Sequence, residues 1–293
     1  MRMTLLRDFC SPAWPTLFKL APRCGYHLCR HAGNLWRRMR QRRHGVRMRG
    51  TWYCQPECLE SALREMPPWT RIAKARAAPA PHRMPLGLML LSREQLSVEQ
   101  LRSALEAQRN AGRGRIGEWL LNLGFATEQQ ITAALARQWS CPVLRTDPTP
   151  LRSNHVPEIP RLLLESFHMV PVDFVPATST LHVAFSGSID YRVLYALEQM
   201  LECRTVPCLI RSSVLRRSLF ALAEHRASKE IVFERVADGT ELSRIIGSYA
   251  ATMSASEIRM APCADYFWVR LQRAPENAVH LLFRTSAAPL AAC

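Results

Sequence analysis

Four of the ten cysteines fall into two close pairs, Cys24-x4-Cys29 and Cys54-x3-Cys58, with 24 residues between the pairs. Thiolate sulfur is a soft ligand, and structural zinc takes four such ligands in a tetrahedron, commonly as two sequence pairs. The spacing predicts a zinc site on Cys24, Cys29, Cys54 and Cys58, with Cys10, His27 or His31 as candidate replacements for one member. Plain burial of reduced thiols is the competing reading. Cys141, Cys203, Cys208, Cys263 and Cys293 have no metal spacing and read as core or surface thiols.

The second pair must be positioned by Thr51-Trp52-Tyr53-Cys54-Gln55-Pro56-Glu57-Cys58, in which a strand is expected to end at Cys54 and a helix to start near Pro56. A treble-clef-like finger presents its second pair in this way. Pro67-Pro68 and the Ala/Pro stretch over residues 77–85 cannot continue a helix, so a linker is expected after the arm. Helical patterns then run through residues 85–144, strand and helix alternate through 168–225, and a helix with β-like segments fills 239–285. The expected organisation is an arm at 1–76, a linker at 77–84, a helical half at 85–144, a small α/β half at 145–226 and a C-terminal α/β segment at 227–293.

Composition bounds the function classes. A chain of 293 residues exceeds a single small module, and 48% hydrophobic with 22% charged residues argues against wholesale disorder. No window approaches the roughly 18 apolar residues of a spanning helix, and the first ten residues lack the apolar core of a secretory signal, so a cytoplasmic location is expected. The formal charge of +15 is concentrated: residues 1–84 hold 17 Lys/Arg against 4 Asp/Glu, while the rest of the chain is nearly balanced. The Arg-dense run at 37–49, flanked by Trp36 and Trp52, could meet phosphates of nucleic acid or lipid, against the plainer reading of a solvated face.

The strongest internal signal is a repeat at an offset of 30. Laying residues 85–108 over 115–138 gives identities at Gly87/Gly117, Leu90/Leu120, Leu91/Leu121, Gln100/Gln130, Ala104/Ala134, Leu105/Leu135 and Gln108/Gln138. Each copy reads as a helical hairpin. Ser97 and Thr127 are followed three positions later by Gln100 and Gln130, the capping-box pattern of a helix start. Leu101/Leu105 and Ile131/Leu135 are expected one above the other on the buried face. Gly124 ends a helix in the second copy where the first has Glu94.

This doubled motif resembles the N-terminal domain of type II secretion and type IV pilus assembly ATPases, including the cyclic-di-GMP-binding form called MshEN. The motif reads Arg-Leu-Gly, two residues, two aliphatics, two residues, Gly, two aliphatics, four residues, Leu, three residues, Leu, two residues, Gln. Arg115-Ile116-Gly117, Leu120-Leu121, Gly124, Phe125-Ala126, Ile131, Leu135 and Gln138 follow it closely; the first copy departs at Pro85, Glu94 and Gln95. The likeness continues through Val170-Pro171-Val172, Leu181-His182-Val183-Ala184 and Ser188-Ile189-Asp190, covering about residues 85–225. A weaker match to the start of the family's next domain includes Ala255-Ser256-Glu257-Ile258-Arg259 and Arg270, where Glu257 replaces Asp, Arg259 replaces His and Gln272 replaces a second strand Arg.

The resemblance implies an α/β fold with a helical double-hairpin repeat before a small α/β unit, here with a zinc-finger-like arm and a degenerate C-terminal α/β segment. It implies cyclic-di-GMP contacts at Arg115 and Gln138, with Gly117, Leu120, Leu121 and Gly124 shaping the surface and Leu86, Gly87, Leu90 and Gln108 contributed by the first copy. Two phosphates and two guanines call for Arg anchors and close backbone approach, which Pro85 does not supply. Packing of two hairpins alone is the bland alternative. No Gly-Lys pair of a phosphate-binding Walker loop occurs, and the family's ATPase domain is not within these residues. No Gly-x-Ser-x-Gly elbow marks a hydrolase. The expected role is a non-enzymatic regulator or adaptor that contacts secretion or pilus machinery, including a full-length assembly ATPase, with nucleic-acid binding through the arm as the alternative.

Overall fold

The computed structural model describes residues 22–31, 45–66, 83–144, 156–225, 229–274 and 277–285. Residues 37–44 of the basic run, Cys10, Cys293 and most of the expected linker lie outside the described residues. No described helix is long and apolar enough to cross a membrane.

The arm contributes β1 (Val46–Met48), β2 (Thr51–Tyr53) and α1 (Pro56–Glu65). Arg49 and Gly50 both have positive φ, the backbone of a two-residue hairpin turn, and Pro56 opens α1 where a missing amide costs nothing. The repeat supplies α2 (Leu86–Leu91), α3 (Val98–Ala111), α4 (Ile116–Asn122) and α5 (Glu128–Gln138). The small unit holds α6 (Arg161–Ser166), β3 (Met169–Val175), β4 (Thr180–Phe185), α7 (Tyr191–Leu201), β5 (Arg204–Leu209) and α8 (Ser212–His225). Then come β6 (Lys229–Phe233), α9 (Gly239–Met253), β7 (Glu257–Cys263), β8 (Tyr266–Ala274) and β9 (Asn277–Arg284).

Both capping boxes form: Ser97 and Thr127 accept from the amides of Gln100 and Gln130, whose side chains accept in return. The hairpin expectation, however, is corrected by the packing. α2 lies chiefly against α5 of the other copy and α3 against α4, so the two copies exchange helices around one core containing Leu86, Leu90, Leu96, Ala104, Leu120 and Ile131. Leu105 is also displaced from its expected place. It is 36% exposed, because Ala104 takes the inward position of α3 and lets the helices approach. The tight turn after α4 uses Gly124 at φ +69; the first copy forces Glu94 to φ +57 there. Left-handed backbone costs a residue with a Cβ about 1–2 kcal/mol, and the space around Gly124 is open, so backbone conformation alone decides. Glu94→Gly is expected to raise stability by about 1 kcal/mol and Gly124→Ala to lower it by a similar amount, read as shifts in the urea midpoint at constant slope.

The three-stranded sheet runs β3-β4-β5, with β3 antiparallel and β5 parallel to β4. One face packs on α8 through Val170, Ala184, Ile210, Val214 and Leu215. The other shares a core with α7 and with Trp268, Cys263 and Leu282 of the second sheet. The helical half is tied on by Glu128, whose carboxylate accepts from the backbone amide of Ser213 at 3.0 Å and its hydroxyl at 2.6 Å.

The second sheet has the order β2-β1-β7-β8-β9-β6, so the Cys-rich arm is continuous with the C-terminal segment instead of standing apart. β1 runs parallel to β7, with Arg47 N donating to Ser256 O at 2.9 Å. The reason is burial. A unit with so few apolar residues cannot close a core alone, and Trp52, Leu59 and Leu63 complete theirs against Ile246, Val269 and Leu271. Gly247 of α9 permits the approach, since a Cβ there would collide with the Glu60 side chain of α1.

His280 lies fully buried in β9, where Trp268 Nε1 donates to its Nδ1 at 3.0 Å. Burial, reinforced by the positive charge of Arg270, pushes its pKa down to about 3. In the unfolded chain a histidine titrates near 6.5, so below that pH the unfolded state takes up a proton that the folded state refuses until about pH 3. Stability is therefore expected to fall as pH drops through this window, by up to about 1.4 kcal/mol per pH unit from this residue. In urea unfolding at pH 7 and pH 4.5, His280→Asn should lack this component; an equal acid loss in both proteins would refute the assignment.

Candidate functional site

Cys24 and Cys29 lie in the loop before β1, Cys54 directly after β2 and Cys58 in the first turns of α1. The loop is fixed onto the hairpin, with Gly25 N donating to Trp52 O at 2.8 Å. The four Sγ atoms all lie within 4.8 Å of one another. Cys29 and Cys54 are separated by 3.5 Å and Cys54 and Cys58 by 3.8 Å. A tetrahedron with zinc–sulfur bonds of about 2.3 Å has edges of about 3.8 Å, so the sulfur positions fit that ion. Three of the four are buried and Cys24 is half-buried.

Burial pushes Cys54 above the ordinary thiol range, and it pushes Cys58 up to about 12, assisted by the charge of Cys24. For Cys29 burial acts in the same upward sense, but hydrogen bonds from the His31 backbone and the other thiols prevail and lower it. Of the candidate replacements, His27 faces Glu65 at 3.6 Å, His31 is not in the sulfur cluster, and Cys10 lies outside the described residues.

The repeat brings its candidate residues together in an order that the linear motif does not show. Gln108, at the end of α3, donates from Nε2 to Gly114 O at 2.8 Å, immediately before Arg115. Gln138, at the end of α5, donates to Met84 O at 2.7 Å, immediately before Pro85. Each glutamine thus holds the start of the other copy. The two starts meet at a seam. A Cβ at Gly117 would stand 3.2 Å from Leu86 Cδ2, tighter than ordinary contact, so the two starts lie directly against each other there.

Leu90 and Leu120 are fully buried and support the surface from beneath, Leu86 and Gly87 are buried at the start of α2, Leu91 and Leu121 are half-buried, and Gly124 is exposed at its turn. Arg115 precedes α4 in extended backbone, and its amide donates to Glu118 Oε2 at 3.2 Å. Its guanidinium reaches the small α/β unit: a Cβ at Gly187 would lie 2.6 Å from Nη1. That charge, after burial, contributes to holding His168 below the usual histidine range.

Arg83, out of register with Arg115 yet able to substitute for the contact that Pro85 lacks, is not among the expected site residues. Arg83 stacks on the indole of Trp139, 3.4 Å from the ring centroid, and Trp139 directly follows Gln138. The signal was present in the repeat, since Arg83 and Arg113 are related by the same offset of 30. The C-terminal motif has a different fate. Arg259 is bound by Glu202 at 3.0 Å, Glu257 at 2.9 Å and the carbonyl of Met200 at 3.2 Å, which makes it a clamp between β7 and the end of α7.

No protein-family model matches the chain, and no curated protein matches it. Among solved structures, "Structure of MshE with cdg" shares 29% identity, covering 47% of this chain and 99% of that one at a TM-score of 0.40. Two crystal forms of the XpsE N-terminal domain share 18% and 20% identity, cover 50% and 45% of this chain and 94% and 89% of theirs, and have TM-scores of 0.36 and 0.29. About half of this chain is thus similar to the N-terminal domain of XpsE and to MshE solved with cdg.

Proposed function

We propose that residues 85–225 form an MshEN-like domain that binds cyclic-di-GMP and acts by protein contact within type II secretion or type IV pilus machinery, as a non-enzymatic regulator or adaptor. The observation that carries this reading is the reciprocal pair of glutamine bonds, Gln108 to Gly114 and Gln138 to Met84. They tie the second helix of each copy to the start of the other copy, a reciprocal pairing that suits a two-fold symmetric dinucleotide. Arg115 supplies a guanidinium there that no carboxylate pairs with among the described residues. The arm would hold one zinc on Cys24, Cys29, Cys54 and Cys58, and the metal would supply structural cross-linking, with no catalytic task.

Calorimetric titration of the full chain with cyclic-di-GMP tests the ligand, and capture of a full-length assembly ATPase by the same chain tests the partner. Saturable one-to-one binding is expected. A chain that neither takes up heat-detected ligand at millimolar concentration nor captures the ATPase would remove the reading. The nucleic-acid alternative rests on the Arg-rich arm and its run at 37–49, of which residues 37–44 lie outside the described residues.

A further inference from the structure

The first copy has Pro85 where the second has Arg115, so one of two equivalent half-sites lacks a cation at that position. The fold places another nearby. Arg83 lies two residues before Pro85 in the non-helical segment entering α2, and the carbonyl of the intervening Met84 is the one that Gln138 holds. Its guanidinium carbon lies over the Trp139 ring, 3.4 Å from the centroid, and Tyr191 extends the aromatic surface with its ring 6.2 Å from that of Trp139. Stacking on an indole fixes the plane of a guanidinium while leaving its second face and its N–H edges able to meet a base or a phosphate. Among the described residues no carboxylate pairs with Arg83.

The two glutamine bonds locate both arginines beside the same pair of helix starts. Gln138 is bonded to the residue after Arg83, and Gln108 to the residue before Arg115. The helices that follow the two arginines meet through Leu86 and Gly117. Three residues of extended chain span at most about 11 Å, which bounds the backbone separation of Arg83 from Leu86 at that seam. Both side chains reach toward the segment between β4 and α7, Arg115 at Gly187 and Arg83 through Trp139 to Tyr191.

We propose that Arg83, held by Trp139, is the ligand anchor of the first copy and replaces the contact that Pro85 cannot make. The inference rests on the cyclic-di-GMP reading and names the residue that completes it. The ligand class is a dinucleotide with two anionic phosphates and two purine faces, one half served by Arg115 and the other by Arg83.

Calorimetry with cyclic-di-GMP on the full chain and on Arg83→Ala, Arg83→Lys and Arg115→Ala separates the cases, with circular dichroism and the thermal midpoint as fold controls. Arg83→Ala is expected to weaken binding by about ten- to a hundredfold, as for a charge-assisted contact. Arg83→Lys should recover little, because an ammonium keeps the charge but neither the plane nor the fork. If the chain binds, Arg115→Ala weakens it and a folded Arg83→Ala binds like the parent, the role of Arg83 is overturned while the cyclic-di-GMP reading stands. If the parent chain itself does not bind, both fall together.

Discussion

Removing the metal from the reduced, zinc-loaded chain is expected to release the N-terminal arm from the second sheet. Metal analysis of the full chain should give about one zinc, and a chelator or Cys54→Ser should sharply raise hydrogen exchange in β1, β2, α1 and the adjoining edge of β7. Exchange in α2–α5 should stay unchanged. The magnitude follows from the small size of the arm: structural zinc contributes on the order of 10–16 kcal/mol in finger-sized units, far more than the net stability of an ordinary domain. Apolar contacts from Trp52, Leu59 and Leu63 to α9 and β8 remain available without metal, but the loop bearing Cys24 and Cys29, which keeps the Gly25–Trp52 bond, the His27–Glu65 pair and the packing of Tyr26, would lose its cross-link to Cys54 and Cys58. The full chain is the appropriate material, because the arm completes its core against the C-terminal segment. A protein that purifies without metal and shows the same exchange pattern with and without chelator would rule out a zinc staple.

Arg115→Ala is expected to reduce affinity for cyclic-di-GMP by about ten- to a hundredfold, the effect of losing a charge-assisted contact worth roughly 1.5–3 kcal/mol. Stability should change little, since no ion pair of the described residues depends on that guanidinium and the fold of α4 relies on Glu118 and the core around Leu120. A companion variant separates position from charge. Gly187→Val retains Arg115 but puts side-chain atoms where its Nη1 lies, so binding should weaken in the same direction with the net charge unaltered. Calorimetry on both variants reads the result. Wild-type affinity in a folded Arg115→Ala protein would show that the ligand, if bound, sits elsewhere.

Local chemistry was legible in the residues alone wherever it acts over three or four positions. The capping boxes at Ser97 and Thr127, the left-handed turn at Gly124, and the strand-to-helix switch between Cys54 and Cys58 all depend on near neighbours. The repeat offset of 30 was equally plain, because it is an identity of residues and needs no geometry. The pairing of the four cysteines followed from spacing, since a loop of four and a helical turn of three bring two sulfurs to one side.

Tertiary structure decided what those local pieces touch. Similar apolar faces on α2, α3, α4 and α5 do not specify which helix packs on which, and the exchanged arrangement prevails because it gives one closed core with Leu90 and Leu120 both fully buried. That exchange ties Gln108 to Gly114 and Gln138 to Met84, turns Leu105 outward and brings Arg83 onto Trp139. β1 has only three residues, too few for periodicity to reveal a partner more than 200 positions away, and its place beside β7 follows from the apolar surface that both must cover. Short-range hydrogen bonding is written in residue order; the choice among equivalent buried surfaces belongs to the whole molecule.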